Sequence, residues 1–362
     1  MTEKISSKQF LVLVFMNLLG TSIVFIPSIA TSYGQENGWI TVLISTIIGM
    51  VLILLFNATV SNDDTLDFFS AIDQSVGKII GNVIIGALII FAYYTGIANI
   101  WALSEFVGLQ ILMGTPPAAI ALISTMTSLI AVRYGIEVIA RSIEIFFPFT
   151  ILSLVLLALL VWPEARLENI EPIMQLNKMS TVIGAIPLVG MTFLEVITLV
   201  IILSSVNNRK DGKRAFLYGG LLAGFCMMIV TFASIAVLGV QGTVRHTYPI
   251  YVLGQNIRIA QFFERIEVLV AFIWFFTIFF KIATTNFIIV KAVQHLFKLK
   301  RHQSISIPVS FLLWTGSVTS FPNVFYDFEA INSTYLVLGF IVGFLIPLFI
   351  VVSKKISQLR KT

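Results

Sequence analysis

The chain has 362 residues, of which 57% are apolar and 11% charged, with a formal net charge of +5 and 31 phenylalanines. Soluble domains carry roughly 25% charged residues, so this composition excludes a water-soluble globular protein and places the chain in a bilayer. The single cysteine, Cys226, excludes an intramolecular disulfide framework, and its apolar surroundings point to an inert, packed thiol.

The N-terminal stretch "MTEKISSKQFLVLVFMNLLGTSIVFIPSIATSYG" imitates a signal peptide, with "SIA" in the place of a cleavage site. Its apolar part, 10–30, has the length of a full membrane crossing, so it is expected to be retained as the first helix. Further apolar runs of spanning length follow at 39–56, 79–108, 118–132, 143–161, 183–205, 215–240, 262–292, 308–321 and 335–352. That makes ten expected spans in one membrane domain, 1–362, with no loop long enough for a separate soluble unit. With the N-terminus inside, 17 of the 23 Lys and Arg residues fall in inner loops, 5 in outer loops, and Lys281 alone falls deep within a span. Such a bias predicts cytoplasmic termini and an even helix count. The net positive charge is thereby accounted for as topology, which leaves a nucleic-acid partner without support.

The first and sixth spans share a feature. The first carries "LLGTSIVFIP", with Gly20 followed by Pro27 in the same run, and the sixth carries "IGAIPLVGMTFLE", with Gly184, Pro187 and Gly190 in one apolar run. Helix breaks at matching positions of two five-helix halves, here 8–161 and 183–352, are the sequence signature of an inverted-repeat transporter with its ligand near the midplane. Gly and Pro are also simply common in membrane helices. If the breaks are real, Gly20, Thr21 and Ser22 in the first span and Gly190 and Thr192 in the sixth can offer free N–H and carbonyl groups to an amino-acid-like ligand. Close packing through small residues is the alternative.

Charges inside spans are costly and must face protein or water. Glu195 lies near the centre of the sixth span and Lys281 near the centre of the eighth, in "IWFFTIFFKIATTNFIIV". Mutual pairing is one inexpensive solution, and the pair could couple ligand or proton to conformation, stand in for a bound cation, or be purely structural. Thr284 and Thr285, one turn along from Lys281, extend a polar stripe on that helix. Glu264, Arg265 and Glu267 at its start, and Glu105 in the third span, read as interfacial charges or as an outer gate. The histidines His246, His295 and His302 fall in loops without metal-ligand spacing and are expected to be solvated. The acidic segment 61–77 reads as a cytoplasmic connection holding one amphipathic helix. Enzyme motifs such as G-x-S-x-G, H-E-x-x-H, Walker A and G-x-G-x-x-G are absent, so no catalytic residue, cofactor or metal is expected.

Five stretches carry a resemblance: "NLLGTSIVFIP", the "NGWI" that opens the second span, "SEFVGLQILMGTPP", "MTFLEV", and "FERIEVLVAFIWFFTIFFKIA". Together they resemble the B subunit of the spore germinant receptors, within the endospore germination permease branch of the amino acid, polyamine and organocation superfamily. The resemblance implies an all-α, ten-helix 5+5 inverted repeat of LeuT-like fold with helices 1 and 6 discontinuous. It also implies the inner membrane of a bacterial spore, a small nutrient such as an amino acid as ligand, and an A subunit and a lipoprotein C subunit as partners. An ordinary proton- or sodium-coupled amino acid permease would share this fold. Carried over motif by motif, the family's ligand site falls on Gly20, near Phe91 and Thr95 with Tyr94 or Ile97 as alternatives, on Thr192 and Phe193, and on Phe280 or Lys281.

Overall fold

The computed structural model describes residues 3–61, 66–172, 178–256, 266–321 and 334–359. Within them the chain is almost wholly helical, and the only strand-like pairing is one isolated bridge between Ile5 and Val206. Among the described residues eight stretches are long and apolar enough to cross a membrane, and the first of these, Ser7–Thr59, contains two helices. Glu264 and Arg265 lie outside the described residues.

Helix α1 (Ser7–Gly34) begins at a capping box, in which Ser6 Oγ accepts from the Gln9 amide at 3.1 Å and the Ser6 amide donates to Gln9 Oε1 at 2.9 Å. A short turn leads into α2 (Gly38–Thr59). The acidic connection then forms the expected amphipathic helix α3 (Phe68–Val76), which starts on the Asp67 side chain and buries Phe68, Phe69 and Ile72. Gly77, at a φ of 84°, turns the chain into α4 (Lys78–Phe106). α5 (Pro117–Tyr134) and α6 (Ile136–Val161) are separated only by Gly135.

The sixth span is a chain of short pieces. α7 (Lys178–Ile183) and α8 (Ala185–Val189) lead into a π turn at Gly190–Leu194, a 3-10 turn at Glu195–Leu199, and α9 (Val200–Leu203). Changes of helical pitch of this kind free backbone groups from the regular ladder, and Thr198 Oγ1 takes up one of them, donating to the Glu195 carbonyl at 2.9 Å.

α10 (Arg209–Arg245) bends at Gly239, whose φ of 69° and ψ of 173° lie outside the helical region. The carbonyls released there are satisfied by Thr243 Oγ1, which donates to Ser234 O and Gly239 O, and by Arg166 N and Asn169 Nδ2, which both reach Ala236 O at 2.9 Å. α11 (Pro249–Asn256), α12 (Glu267–Leu296), α13 (Gln303–Thr319), α14 (Leu336–Phe340), a further π turn at Ile341–Leu345 and α15 (Ile346–Leu359) complete the described chain.

Burial sorts these helices into a centre and a shell. In the sixth span 89% of the most apolar stretch is buried, against 22% for α6, so the interrupted segment is the hub and α6 a lipid-facing wall. α1 and α12 pack beside that hub, while Ile47 and Val51 of α2, Ile79 and Val83 of α4, and Phe311 and Leu312 of α13 turn outward. Lipid offers helices no hydrophobic drive to associate, so contact depends on close packing and interhelical polar bonds. Asn286 of α12 supplies one such junction, donating to Ser128 Oγ of α5 at 2.9 Å and to Ser310 Oγ of α13 at 2.8 Å.

One expectation requires correction. α1 runs unbroken through Gly20 and Pro27, so of the two helices expected to be discontinuous only the sixth is interrupted. Gly20 serves close approach instead of unwinding: a Cβ there would stand 2.8 Å from Lys281 Cδ, 3.0 Å from Lys281 Cβ and 3.2 Å from the Thr277 carbonyl.

Candidate functional site

The charges at the centres of the sixth and eighth spans meet. Lys281 and Glu195 are 1% and 4% exposed, and the Lys281 ammonium forms an ion pair with Glu195 Oε1. Lys281 can reach because its stem slides past Gly20. Its ammonium also donates to Thr21 Oγ1 at 2.6 Å. Thr21 in turn donates to Asn99 Oδ1 at 2.6 Å, and Asn99 Nδ2 donates to the Thr95 carbonyl at 2.7 Å. The other Glu195 oxygen, Oε2, accepts from the Tyr335 hydroxyl at 2.9 Å. A buried ion pair is tolerated only when further hydrogen bonds satisfy both partners, and this network supplies them from α1, α4 and the residue preceding α14.

Beside the pair lies a small cavity of about 40 Å³, lined chiefly by Thr21, Tyr94, Thr95, Asn99, Glu195 and Tyr335. It has room for water-sized guests. Ordinary ligand pockets begin near roughly 300 Å³, so an amino acid fits only if the walls part. Tyr335 is held by the rings of Phe91 and Tyr94, with centroids 5.6 and 5.7 Å away. Among the described residues Glu195 is the one ionised group on the lining, since the Lys281 ammonium sits behind Thr21 and Glu195.

The residues expected from sequence separate into groups. Thr21, Tyr94 and Thr95 line the cavity. Gly20, Lys281 and Phe91 form a layer just behind it. Ser22 and Thr192 bond each other across α1 and the π turn at 3.1 Å, away from the lining. Three further residues point elsewhere. Phe193 packs its ring against Gly49 of α2, and a Cβ on Gly190 would meet Leu336 Cδ1 at 2.7 Å. The physical reason is helical spacing, since Met191 and Glu195 stand four residues apart and share the face on the cavity, whereas Phe193, two residues from each, faces the other way. Thr284 is buried beyond Lys281, and its hydroxyl has no hydrogen-bond partner among the described residues.

Asn99 and Tyr335 were not expected. Asn99 could have been found, because it follows Thr95 by four residues in an otherwise apolar helix and so shares its face. Tyr335 sits at the edge of its span, where tyrosine is commonplace as an interfacial anchor. Among the described residues no cluster of three or more His, Cys, Asp or Glu side chains could hold a metal ion.

A second polar centre closes one end of the bundle. The Glu3 carboxylate accepts from the Ile136 amide at 3.4 Å and lies 3.8 Å from Lys291 Nζ and 4.0 Å from His302 Nε2. Ile5 bonds Ser205 O and the Asn207 amide, joining the segment ahead of α1 to the end of the interrupted span. His302, expected to be solvated, is 6% exposed and 3.2 Å from the Val132 carbonyl. Burial, aided by the Lys291 ammonium, pushes its imidazole below the ordinary value of 6.5, against smaller upward pulls from Glu3 and Val132.

The interrupted central span, the buried charge pair and the cavity beside it belong to a multi-pass membrane protein with the LeuT-like transporter fold. A substrate-bound, outward-open Na+-coupled sialic acid symporter superposes with a TM-score of 0.69 at 12% identity, covering 95% of this chain and 80% of its own. MhsT in complex with L-phenylalanine superposes with a TM-score of 0.65 at 15% identity, covering 95% and 89%. The chain belongs to the spore germination protein family, whose family model, described as spore germination protein, matches residues 4–325. Spore germination protein KB of Bacillus subtilis is 24% identical over 352 residues, covering 96% of this chain and 93% of its own. Spore germination protein YndE of the same organism is 24% identical over 302 residues, covering 83% of each.

Proposed function

We propose that this chain is the nutrient-sensing subunit of a spore germinant receptor, binding a small molecule such as an amino acid beside the Glu195–Lys281 pair and signalling to partner subunits. The observation that carries the reading is the cavity itself, lined by both polar and aromatic side chains and set against the interrupted sixth span. A ligand drives signalling only if it binds the signalling conformation more tightly than the resting one. A cavity too small for the ligand as it stands gives that difference a physical origin, because binding must part α1, α4 and the sixth span. Thr21, Tyr94, Thr95, Glu195, Asn99 and Tyr335 are the contacts proposed for the ligand, with Lys281 and Gly20 in support.

The further parts of the reading follow from family membership. The partners are an A subunit and a lipoprotein C subunit, the place is the spore inner membrane with both termini on the core side, and the two halves 8–161 and 183–352 are inverted repeats. The gathering of residues 3–5, 136, 205–207, 291 and 302 at one end of the bundle supports the orientation, since all fall in loops or helix ends that the charge bias assigns to one side. The fold neighbours favour a second reading, a proton- or sodium-coupled permease, because one of them is Na+-coupled.

One experiment separates the two. The purified chain is reconstituted in liposomes and supplied with labelled amino acids, sugars or nucleosides. Saturable binding without accumulation supports the receptor, accumulation driven by a proton or sodium gradient supports the permease, and no binding in any class refutes both.

A further inference from the structure

The Glu195–Lys281 pair imposes a charge rule on whatever enters the cavity. The pair is net neutral, buried, and every charged atom in it is hydrogen-bonded. A cationic guest beside Glu195 would leave two positive charges on one carboxylate, and an anionic guest would leave two negative charges on one ammonium. Either surplus is expensive where water is excluded. A zwitterion brings no surplus: its ammonium can take Glu195 and its carboxylate can take Lys281, so that two ion pairs replace one.

The geometry suits this exchange. Glu195 and Thr21, the two groups that hold the Lys281 ammonium, both line the cavity, so the ammonium lies immediately behind the wall. Tyr94, Tyr335 and Phe25 line the same cavity as Glu195 and lend it aromatic surface. Because α1 is unbroken at Gly20, it has no free N–H groups there to take a carboxylate, which leaves Lys281 as the available cation. Glu195 stands at the junction of the π and 3-10 turns, where the backbone can shift without breaking a regular helix.

We infer that the ligand is a zwitterion that inserts into the Glu195–Lys281 ion pair, exchanging its partners, and that the separation of α12 from the sixth span on insertion is the conformational signal. This rests on the proposed ligand pocket and adds to it the charge class of the ligand and the bond it opens.

The test uses the purified full chain in detergent and its thermal stabilisation by three matched series. The zwitterions are glycine, L-alanine, L-valine and L-leucine. The amines are methylamine, ethylamine, isobutylamine and isopentylamine, and the acids are acetate, propionate, isovalerate and isocaproate. In the wild type at least one zwitterion binds, and its matched amine and acid bind at least about tenfold more weakly. Lys281→Met, which leaves Glu195 unpaired, shifts the preference to the amine. Glu195→Gln shifts it to the acid.

Should either single variant fail to give a monodisperse folded species, the double variant Glu195→Gln/Lys281→Met decides. It leaves no charge unpaired, folds, and loses zwitterion binding by about tenfold or more. Retained zwitterion binding in the double variant, or the same order of preference in wild type and single variants, overturns the inference. If sugars or nucleosides stabilise the wild type and no zwitterion does, the pocket stands and the partner exchange falls. If no class of compound stabilises it, both fall.

Discussion

Gly20→Ala is the sharpest structural test, because two accounts of that glycine predict different things. In this structure the added Cβ would stand 2.8 Å from Lys281 Cδ, 3.0 Å from Lys281 Cβ and 3.2 Å from the Thr277 carbonyl. Carbon atoms rest at about 3.5–4.0 Å, so the Lys281 stem must retreat by about 0.7 Å. The stem cannot do so freely, since its ammonium is held by Thr21 at 2.6 Å and by Glu195. Overpacking of this degree costs about 1–3 kcal/mol. Equilibrium unfolding in mixed detergent micelles, followed by tryptophan fluorescence, should show that loss. In a Glu195→Gln/Lys281→Ala background the Cδ contact and the tether are gone, while the Cβ and carbonyl contacts remain. The cost of Gly20→Ala should therefore fall by at least about 0.5 kcal/mol, the level at which neighbouring residues count as coupled. Equal costs in the two backgrounds, or no cost in either, would refute the packing account and return Gly20 to the role of an unwinding point.

Other outcomes follow from single contacts. Tyr335→Phe keeps the ring stacked on Phe91 and Tyr94 but removes the donor to Glu195 Oε2, and should lower stability by about 1.5–3 kcal/mol in the same assay, as befits a hydrogen bond to a charged group. Asn286→Ala removes both bonds that tie α12 to α5 and α13. Interhelical bonds in membranes average about 0.6 kcal/mol, so a loss near 1 kcal/mol is expected and a loss under about 0.3 would refute the junction's importance. His302 has its folded pKa depressed below 6.5, chiefly by burial, so the unfolded chain binds the extra proton first. Stability should therefore fall as pH drops below 6.5 and level off once the depressed value is passed. Thermal midpoints measured from about pH 7.5 to 5 should show that slope in the wild type, and His302→Gln should flatten it with Glu3 and Lys291 still present.

Much of the fold was legible because a bilayer leaves the sequence few options. Apolar length marked the eight stretches long enough to cross a membrane among the described residues, and the acidic segment 61–77 was read as holding one amphipathic helix, which is α3. Where a helix changes pitch is a different matter. Gly20 and Pro27 looked like a break and are none, since Gly20 answers to the Lys281 stem on another helix, a contact no local pattern reveals. The sixth span does change pitch, and there Glu195 was identifiable as a charge in hydrocarbon, while Phe193, two residues away and so on the opposite face, was assigned to a side it does not occupy. His302 looked solvated because it stands in a loop, yet the loop is folded under the Val132 carbonyl. Charges announce themselves by their cost; orientation depends on partners distant in sequence.

The bridge between Ile5 and Val206 bears on how the protein is made. Residues 3–5 leave the ribosome ahead of residues 136, 205–207, 291 and 302, to which they are joined, so the full set of partners exists only once most of these helices have been made. Segments synthesised early generally fold early, but this strap can close only late in synthesis. Its closure is thus a report that the membrane domain has assembled, and a bulky fusion placed just ahead of Glu3 would interfere with that step after the helices are in place.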